Sequence, residues 1–187
     1  MARQAPVAAT VVRTRPARPG DAADILQLLA DAKRDTPLAA IVDLPTRPEP
    51  LATALATIGS EAAVIVAEEG MGGDLVGVLF AARGPGPTRH TASLSVAVDV
   101  RRRRQGAGRA LVRAAVLWAG EVGVERLTAS VASANGAALS LFGGLGFAVE
   151  GRRPSHLCIE SVLYDEVLFG LSLSLRRPAP PAREVRR

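Results

Sequence analysis

The stretch that most limits how this chain can fold is Arg103-Arg104-Gln105-Gly106-Ala107-Gly108-Arg109-Ala110-Leu111. It joins a strand-like run, Thr91–Val98, to a helix expected from about Gly108 to Gly120, on which Ala107, Leu111, Ala114 and Trp118 share one stripe. Small residues let the backbone turn tightly and let a ligand approach the main chain. Free amide hydrogens at a helix start converge on one point, where the macrodipole favours an anion. Arginines on the lip add cationic attraction, so the stretch reads as a phosphate cradle. It is not a Walker loop, because Gly108 is followed by Arg109-Ala110 rather than by lysine and a hydroxyl residue. A dinucleotide fingerprint would need a third glycine where Leu111 stands. The plainer alternative is a tight connection with solvated arginines.

The elements around this turn alternate in type. Val11–Arg15 reads as a strand, and Asp21, with Asp24 three residues on, as the cap of a helix carrying Ile25, Leu28, Leu29 and Ala32 to about Arg34. Pro37, Pro45, Pro48 and Pro50 break residues 36–50, and a short helix is expected over Leu51–Ile58. Ala62–Glu68 and Leu75–Ala82 form a hairpin about the Gly-rich Gly70–Asp74. Arg126–Val131 is a strand, Asn135–Leu145 a helix closed by Gly146, and Phe147–Arg152 and Leu163–Ser172 are closing strands. The order predicts an α+β fold: a mixed, mostly antiparallel central sheet of about seven strands flanked by about four helices. Residues 11–175 are expected to form one domain between a disordered basic tail, 1–10, and a disordered Pro/Arg tail, 176–187.

Charge sharpens the reading of the turn. The 187 residues carry a formal net charge of +5, almost wholly through arginine. Residues 1–19 hold four arginines and no acid, and residues 176–187 hold five arginines against Glu184. The body between them is therefore net acidic despite Arg101, Arg102, Arg103 and Arg104. Adjacent residues in an extended turn do not face one way, and no aromatics are interleaved for base stacking. Nucleic acid is thus disfavoured as a partner, and the run is read as phosphate binding by Arg103 or Arg104 beside solvated Arg101 and Arg102. A single cysteine, Cys158, excludes an intrachain disulfide, and with only His90 and His156 no metal site is expected. No apolar run long enough for a membrane helix or a secretory signal occurs, so a cytoplasmic location is expected.

These residues resemble the GCN5-related N-acetyltransferase (GNAT) superfamily. Arg103-x-x-Gly106-x-Gly108 matches its acetyl-CoA loop, and Val96-Ala97-Val98-Asp99 resembles its bulged strand, whose backbone holds the pantetheine arm. The run from Asn135 through Ala138, Leu141 and Phe142 to Gly146-Phe147 is similar to the family's second segment. Arg15-Pro-Ala-Arg18-Pro-Gly-Asp21 resembles its opening, and Tyr164-Asp165-Glu166-Val167-Leu168 its ribosomal-protein and amino-acid acetyltransferase branches. The resemblance spans about residues 11–172. It implies acetyl-CoA as cosubstrate, held by Val96, Ala97, Val98, Arg103, Arg104, Gln105, Gly106, Ala107, Gly108, Arg109, Asn135, Ala138 and Phe142.

The activity implied is acetyl transfer to a primary amine, on a small molecule or a peptide N-terminus, by direct attack in a ternary complex. An alkylamine is mostly protonated at neutral pH, so a proton must leave before attack. The resemblance places the oxyanion on the backbone N–H near Val98. Phe142 stands where many relatives carry the tyrosine that protonates the leaving sulfur; releasing a thiolate of pKa about 8.5 at pH 7 costs about 2 kcal/mol, which water can meet. Tyr164 is a substitute donor or an ordinary strand aromatic. Glu68, Glu69, Glu160, His90 and His156 are candidate bases, with Ser93 and Ser95 able to hold a water; none is assigned. Asn135 is either a ligand contact or a helix cap. Cys158 is expected as a small apolar filler and Trp118 as core. The contrasting reading, motivated by Phe142, is a catalytically silent acyl-CoA-binding or regulatory module. A homodimer is left open.

Overall fold

A computed structural model describes residues 12–35, 47–70 and 72–173; the two expected tails and most of the Pro-broken segment lie outside them. In chain order the elements are β1 (Val12–Pro16), α1 (Ala22–Asp35), α2 (Pro48–Thr57), β2 (Ala62–Glu69), β3 (Leu75–Arg83), β4 (Thr91–Val98), α3 (Ala107–Glu121), β5 (Arg126–Ala132), α4 (Gly136–Gly143), β6 (Ala148–Ile159) and β7 (Val162–Ser172). The seven strands make one sheet in the order β1-β2-β3-β4-β5-β7-β6, and only β4 and β5 run parallel. This is the mixed, mostly antiparallel sheet with four helices that the sequence predicts.

Period-2 alternation divides the core between the sheet's two faces. Ile65, Leu79, Leu94, Leu127, Ala129 and Phe169 pack with α3 and α4, while Val64, Val66 and Val78 pack with α1 and α2. On α1 the buried side chains are Ala22, Ile25, Leu28 and Ala32, the spacing of one helix face. On α3 the buried row is Ala107, Leu111, Val112, Ala115 and Ala119. It lies beside the stripe predicted, and Trp118 is partly buried at its margin rather than central.

Several expectations shift. Asp21 does not cap α1. It ends a 3-10 turn, Pro19–Asp21, and faces backward to accept the Arg18 N–H (2.6 Å) and Arg15 Nη1 (2.7 Å) and Nη2 (3.0 Å). Pro48 and Pro50 lie inside the first turn of α2, where a missing N–H costs nothing. The closing strand β6 runs seven residues past Arg152, through Pro154 and a register shift between Arg153 and Leu157. It lies at the sheet's edge, where proline is tolerated because the ladder needs no donor on that side. Cys158 is exposed on this edge strand, not a filler.

Arg15 also holds Glu68 (Nε to Oε2, 3.0 Å), so β1, the 3-10 turn and β2 meet at one ion-pair cluster. The Arg15 hydrogen bond, against the penalty of burial, holds the Asp21 carboxyl below its ordinary value. Its folded value being depressed, its contribution is present above the unfolded pKa of about 3.9 and is lost as pH falls through the lower folded value. Thermal melts should therefore show Asp21→Asn less stable than the parent at pH 7, with the gap closing below about pH 4. An equal gap at pH 3 and pH 7 would exclude this cluster as its source.

Candidate active site

The sheet opens at one place. Strands β4 and β5 are paired over Thr91–Leu94 and Arg126–Ala129 and no further. Beyond Leu94, β4 continues against β3 in unbroken register to the pair Gly77 and Val98, without the bulge that the resemblance implied. The amide of Asp99 donates to Val76 O (2.9 Å). In an antiparallel ladder, donors alternate between the two sides of a strand. With Asp99 bonded to β3, Ala97 also faces β3, and the N–H groups of Val96 and Val98 point toward the gap that β5 has left. Two main-chain donors thus stand in a cleft with no strand opposite.

The arginine loop closes one end of this cleft. Asp99 accepts the Arg101 N–H (2.9 Å) and caps a 3-10 turn, Val100–Arg102. The chain then passes through two left-handed residues, Arg104 (φ 63°) and Gly106 (φ 92°), into α3. Arg104 occupies a region unfavourable to side-chain-bearing residues, and such strain gathers at functional sites. Gly106 accepts its angle without cost. The amides of Ala107, Gly108 and Arg109 form the first turn of α3 and find no carbonyl within the helix. Gly108 is small for a packing reason: a Cβ there would lie 3.2 Å from Leu141 Cδ2 and 3.6 Å from Val98 Cγ2.

A trough of about 730 Å³ runs along these groups, within the usual range for ligand sites. Of the residues that sequence analysis marked, Val96, Ala97, Val98, Arg103, Arg104, Gly106, Ala107, Gly108, Arg109, Asn135 and Ala138 line it. Gln105 does not; its Nε2 contacts Arg101 O (3.5 Å). Arg102, expected as solvated, lines it too and pairs with Glu69 (2.8 Å), whereas Arg101 pairs with Asp99 and is 80% exposed. Asn135 Oδ1 accepts the Ala138 N–H (3.1 Å), so the cap is real, and the residue also borders the trough.

A second cavity, of about 250 Å³, adjoins the trough at the gap. It shares Val96, Asn135 and Ala138 with the trough, and adds Ser93, Ser95, Ser130, Phe142 and Glu166. Phe142 is 3% exposed and packs its ring 5.1 Å from that of Phe147 and 5.8 Å from that of Phe169. It belongs to the core and shows an edge to the cavity. Tyr164 lines neither space.

Residues 24–147 match the model of the acetyltransferase (GNAT) family. The chain belongs to the GNAT family. Membership makes it an acyl-CoA-dependent N-acyltransferase. Its fold is shared by solved GNAT structures. A Salmonella typhimurium protein described as an acetyltransferase, solved with its cofactor acetyl-CoA, is 24% identical, with TM-score 0.78 over 92% of this chain and 99% of that one. A GCN5-related N-acetyltransferase from Kribbella flavida is 26% identical, TM-score 0.74, over 87% and 98%. Ribosomal-protein-alanine N-acetyltransferase from Brucella melitensis is 26% identical, TM-score 0.73, over 86% and 99%. A search of curated protein sequences finds no significant match.

In this GNAT chain the trough suits the family's acyl donor: cationic at the arginine loop, and lined by main-chain donors along β4. Among the described residues no group of His, Cys, Asp and Glu is arranged to hold a metal ion, and no helix is long and apolar enough to cross a membrane. The candidate bases disperse. Glu68 is bound to Arg15, Glu69 to Arg102, His90 lies against Pro87 O (3.2 Å), and Glu160 stands exposed at the β6–β7 turn.

Sequence reading missed Glu166 as a site residue. It is 7% exposed, lines the smaller cavity, and accepts from the Ser130 hydroxyl and from Arg153 Nη1 (2.9 Å), with His156 Nε2 at 3.6 Å. Burial pushes its carboxyl up, but Ser130 and Arg153 outweigh it and hold the group below its ordinary value. The available signal was alternation on β7, where Val167 and Phe169 face α3 and Glu166 must face the other way.

Proposed function

We propose that this GNAT protein transfers an acetyl group from acetyl-CoA to a primary amine, on a small molecule or a peptide N-terminus, by direct attack in the cytoplasm. The observation that carries this reading is the meeting of two spaces at one gap: trough and cavity share Val96, Asn135 and Ala138, where β4 has parted from β5. Donor and acceptor can then meet at the gap from the two adjoining spaces without a covalent enzyme intermediate.

Each residue has a job under this reading. Arg103, Arg104 and Arg109, with the first-turn amides of α3, hold the pyrophosphate. The amide of Val96 orients the pantetheine arm, and that of Val98 stabilises the oxyanion that develops on the thioester carbonyl. The donor supplies an acyl carbon whose sulfur can leave. Phe142 bounds the reaction space and offers no proton, so the thiolate is protonated by water. Ser93 and Ser95 place hydroxyls where the amine's proton can pass to solvent.

Thiol release from acetyl-CoA, screened over alkylamines, amino acids, amine drugs and peptide N-termini, tests the proposal. Release with one of these classes is expected. Tight acetyl-CoA binding with no release from any amine would overturn it in favour of a silent acyl-CoA-binding module.

A further inference from the structure

Glu166 is the cavity's unexplained investment. Burying a carboxylate costs several kcal/mol before its partners compensate, and a well-packed apolar residue commonly serves stability equally well. Here the charge is kept beside an open space. Among the described residues lining that cavity, Glu166 is the only ionisable one. The rest of the lining mixes apolar side chains, Leu157 and Ile159 among them, with the hydroxyls of Ser93, Ser95 and Ser130 and the amide of Asn135.

The carboxylate is not exhausted by its present bonds. It offers about four lone-pair sites. Oε1 accepts from Ser130 and Oε2 from Arg153, with His156 near Oε2. The Arg153 side chain is 54% exposed and is not part of the cavity wall, so it braces the carboxylate from outside. The β6–β7 register fixes this: Arg153 lies opposite Glu166, and Leu157 opposite Tyr164, on the edge strand that forms the outer rim. A cation entering the cavity meets one anion among neutral walls.

Resting on the acetyl-transfer reading, we infer that Glu166 is the anchor for the acceptor: it takes the ammonium end of an amine whose attached carbons are apolar. Ser130 and Arg153 hold the carboxylate in place and ionised, so it binds the cation rather than keeping its proton, which leaves to water at the cavity mouth. Selection is for a positive charge on an apolar stem, and against neutral molecules of the same shape.

The probe is n-butylammonium, with 1-butanol as its neutral counterpart, titrated by NMR into the protein alone and with unreactive CoA bound. The parent should bind butylammonium about tenfold more tightly than butanol, and Glu166→Gln should lose that preference, a change of about 1.4 kcal/mol. Glu166→Gln should keep the parent's CoA affinity and thermal unfolding midpoint, which guards against a folding defect in that variant. In turnover with n-butylamine, Glu166→Gln should raise the amine KM about tenfold and change kcat less than about threefold. Equal binding of the two probes by the parent, unchanged butylammonium affinity in Glu166→Gln, or a fall in kcat at constant KM would overturn the anchor. Cation preference in a protein that releases no thiol would support the anchor while refuting acetyl transfer.

Discussion

Val98→Pro should lower kcat by about 10²–10³ while leaving the sheet intact, because one hydrogen-bond donor to a developing oxyanion is worth that much. The variant is clean for a geometric reason. Asp99 donates to Val76, so the ladder with β3 uses the amides of Ala97 and Asp99, and the Val98 amide faces the gap. Proline at Val98 deletes that donor on the side where β4 behaves as an edge strand and leaves the donors of the β3 ladder in place, and Val98→Ala controls for the lost side-chain packing. Acetyl-CoA KM should change less than about threefold if the amide acts mainly in the transition state. Thermal unfolding within a few degrees of the parent, with kcat also unchanged, would remove Val98 from the chemistry.

The second large effect concerns the donor. Arg103→Ala/Arg104→Ala should raise the acetyl-CoA KM about 100-fold, since hydrogen bonds to charged groups are worth about 1.5–3 kcal/mol each. The same substitution should flatten the salt dependence of that KM, as fewer exposed charges remain to be screened. Arg101→Ala supplies the comparison: Arg101 is paired with Asp99, 80% exposed and outside the trough, and its loss should change KM little. If the double variant and Arg101→Ala behaved alike, the loop would be a solvated turn and not a pyrophosphate site.

Local signals carried most of the fold. The strand–glycine–helix run set β4 and α3, and the glycine-rich hairpin set β2 and β3, because turn chemistry and apolar period act over a few residues. What escaped depends on groups distant in sequence. Asp21 looked like a cap because acids suit helix starts, yet Arg15 and the Arg18 amide draw it the other way. The far half of β6 was hidden by Pro154, which only an edge position excuses. The left-handed Arg104 carries no sequence mark. The trough residues were legible because they lie on one motif and its neighbours. Glu166 was not, because its meaning comes from Ser130 and Arg153 across two strand pairings, and from a cavity that no single segment encloses.

The short parallel joint between β4 and β5 has a consequence for how such a protein can change. Four residue pairs hold the two halves of the sheet together there, and beyond them the halves contribute separately to the gap. The stretch that matches the family ends at residue 147, one position before β6 begins, while Leu157, Ile159 and Glu166 come from the hairpin that follows. On the proposed assignment, donor handling is written in the first part of the chain, and the acceptor's wall is shared between that part and a ribbon attached at one seam, which supplies Leu157, Ile159 and Glu166. That ribbon can be exchanged or drift in sequence, retuning what is acetylated without disturbing the machinery that brings the acetyl group.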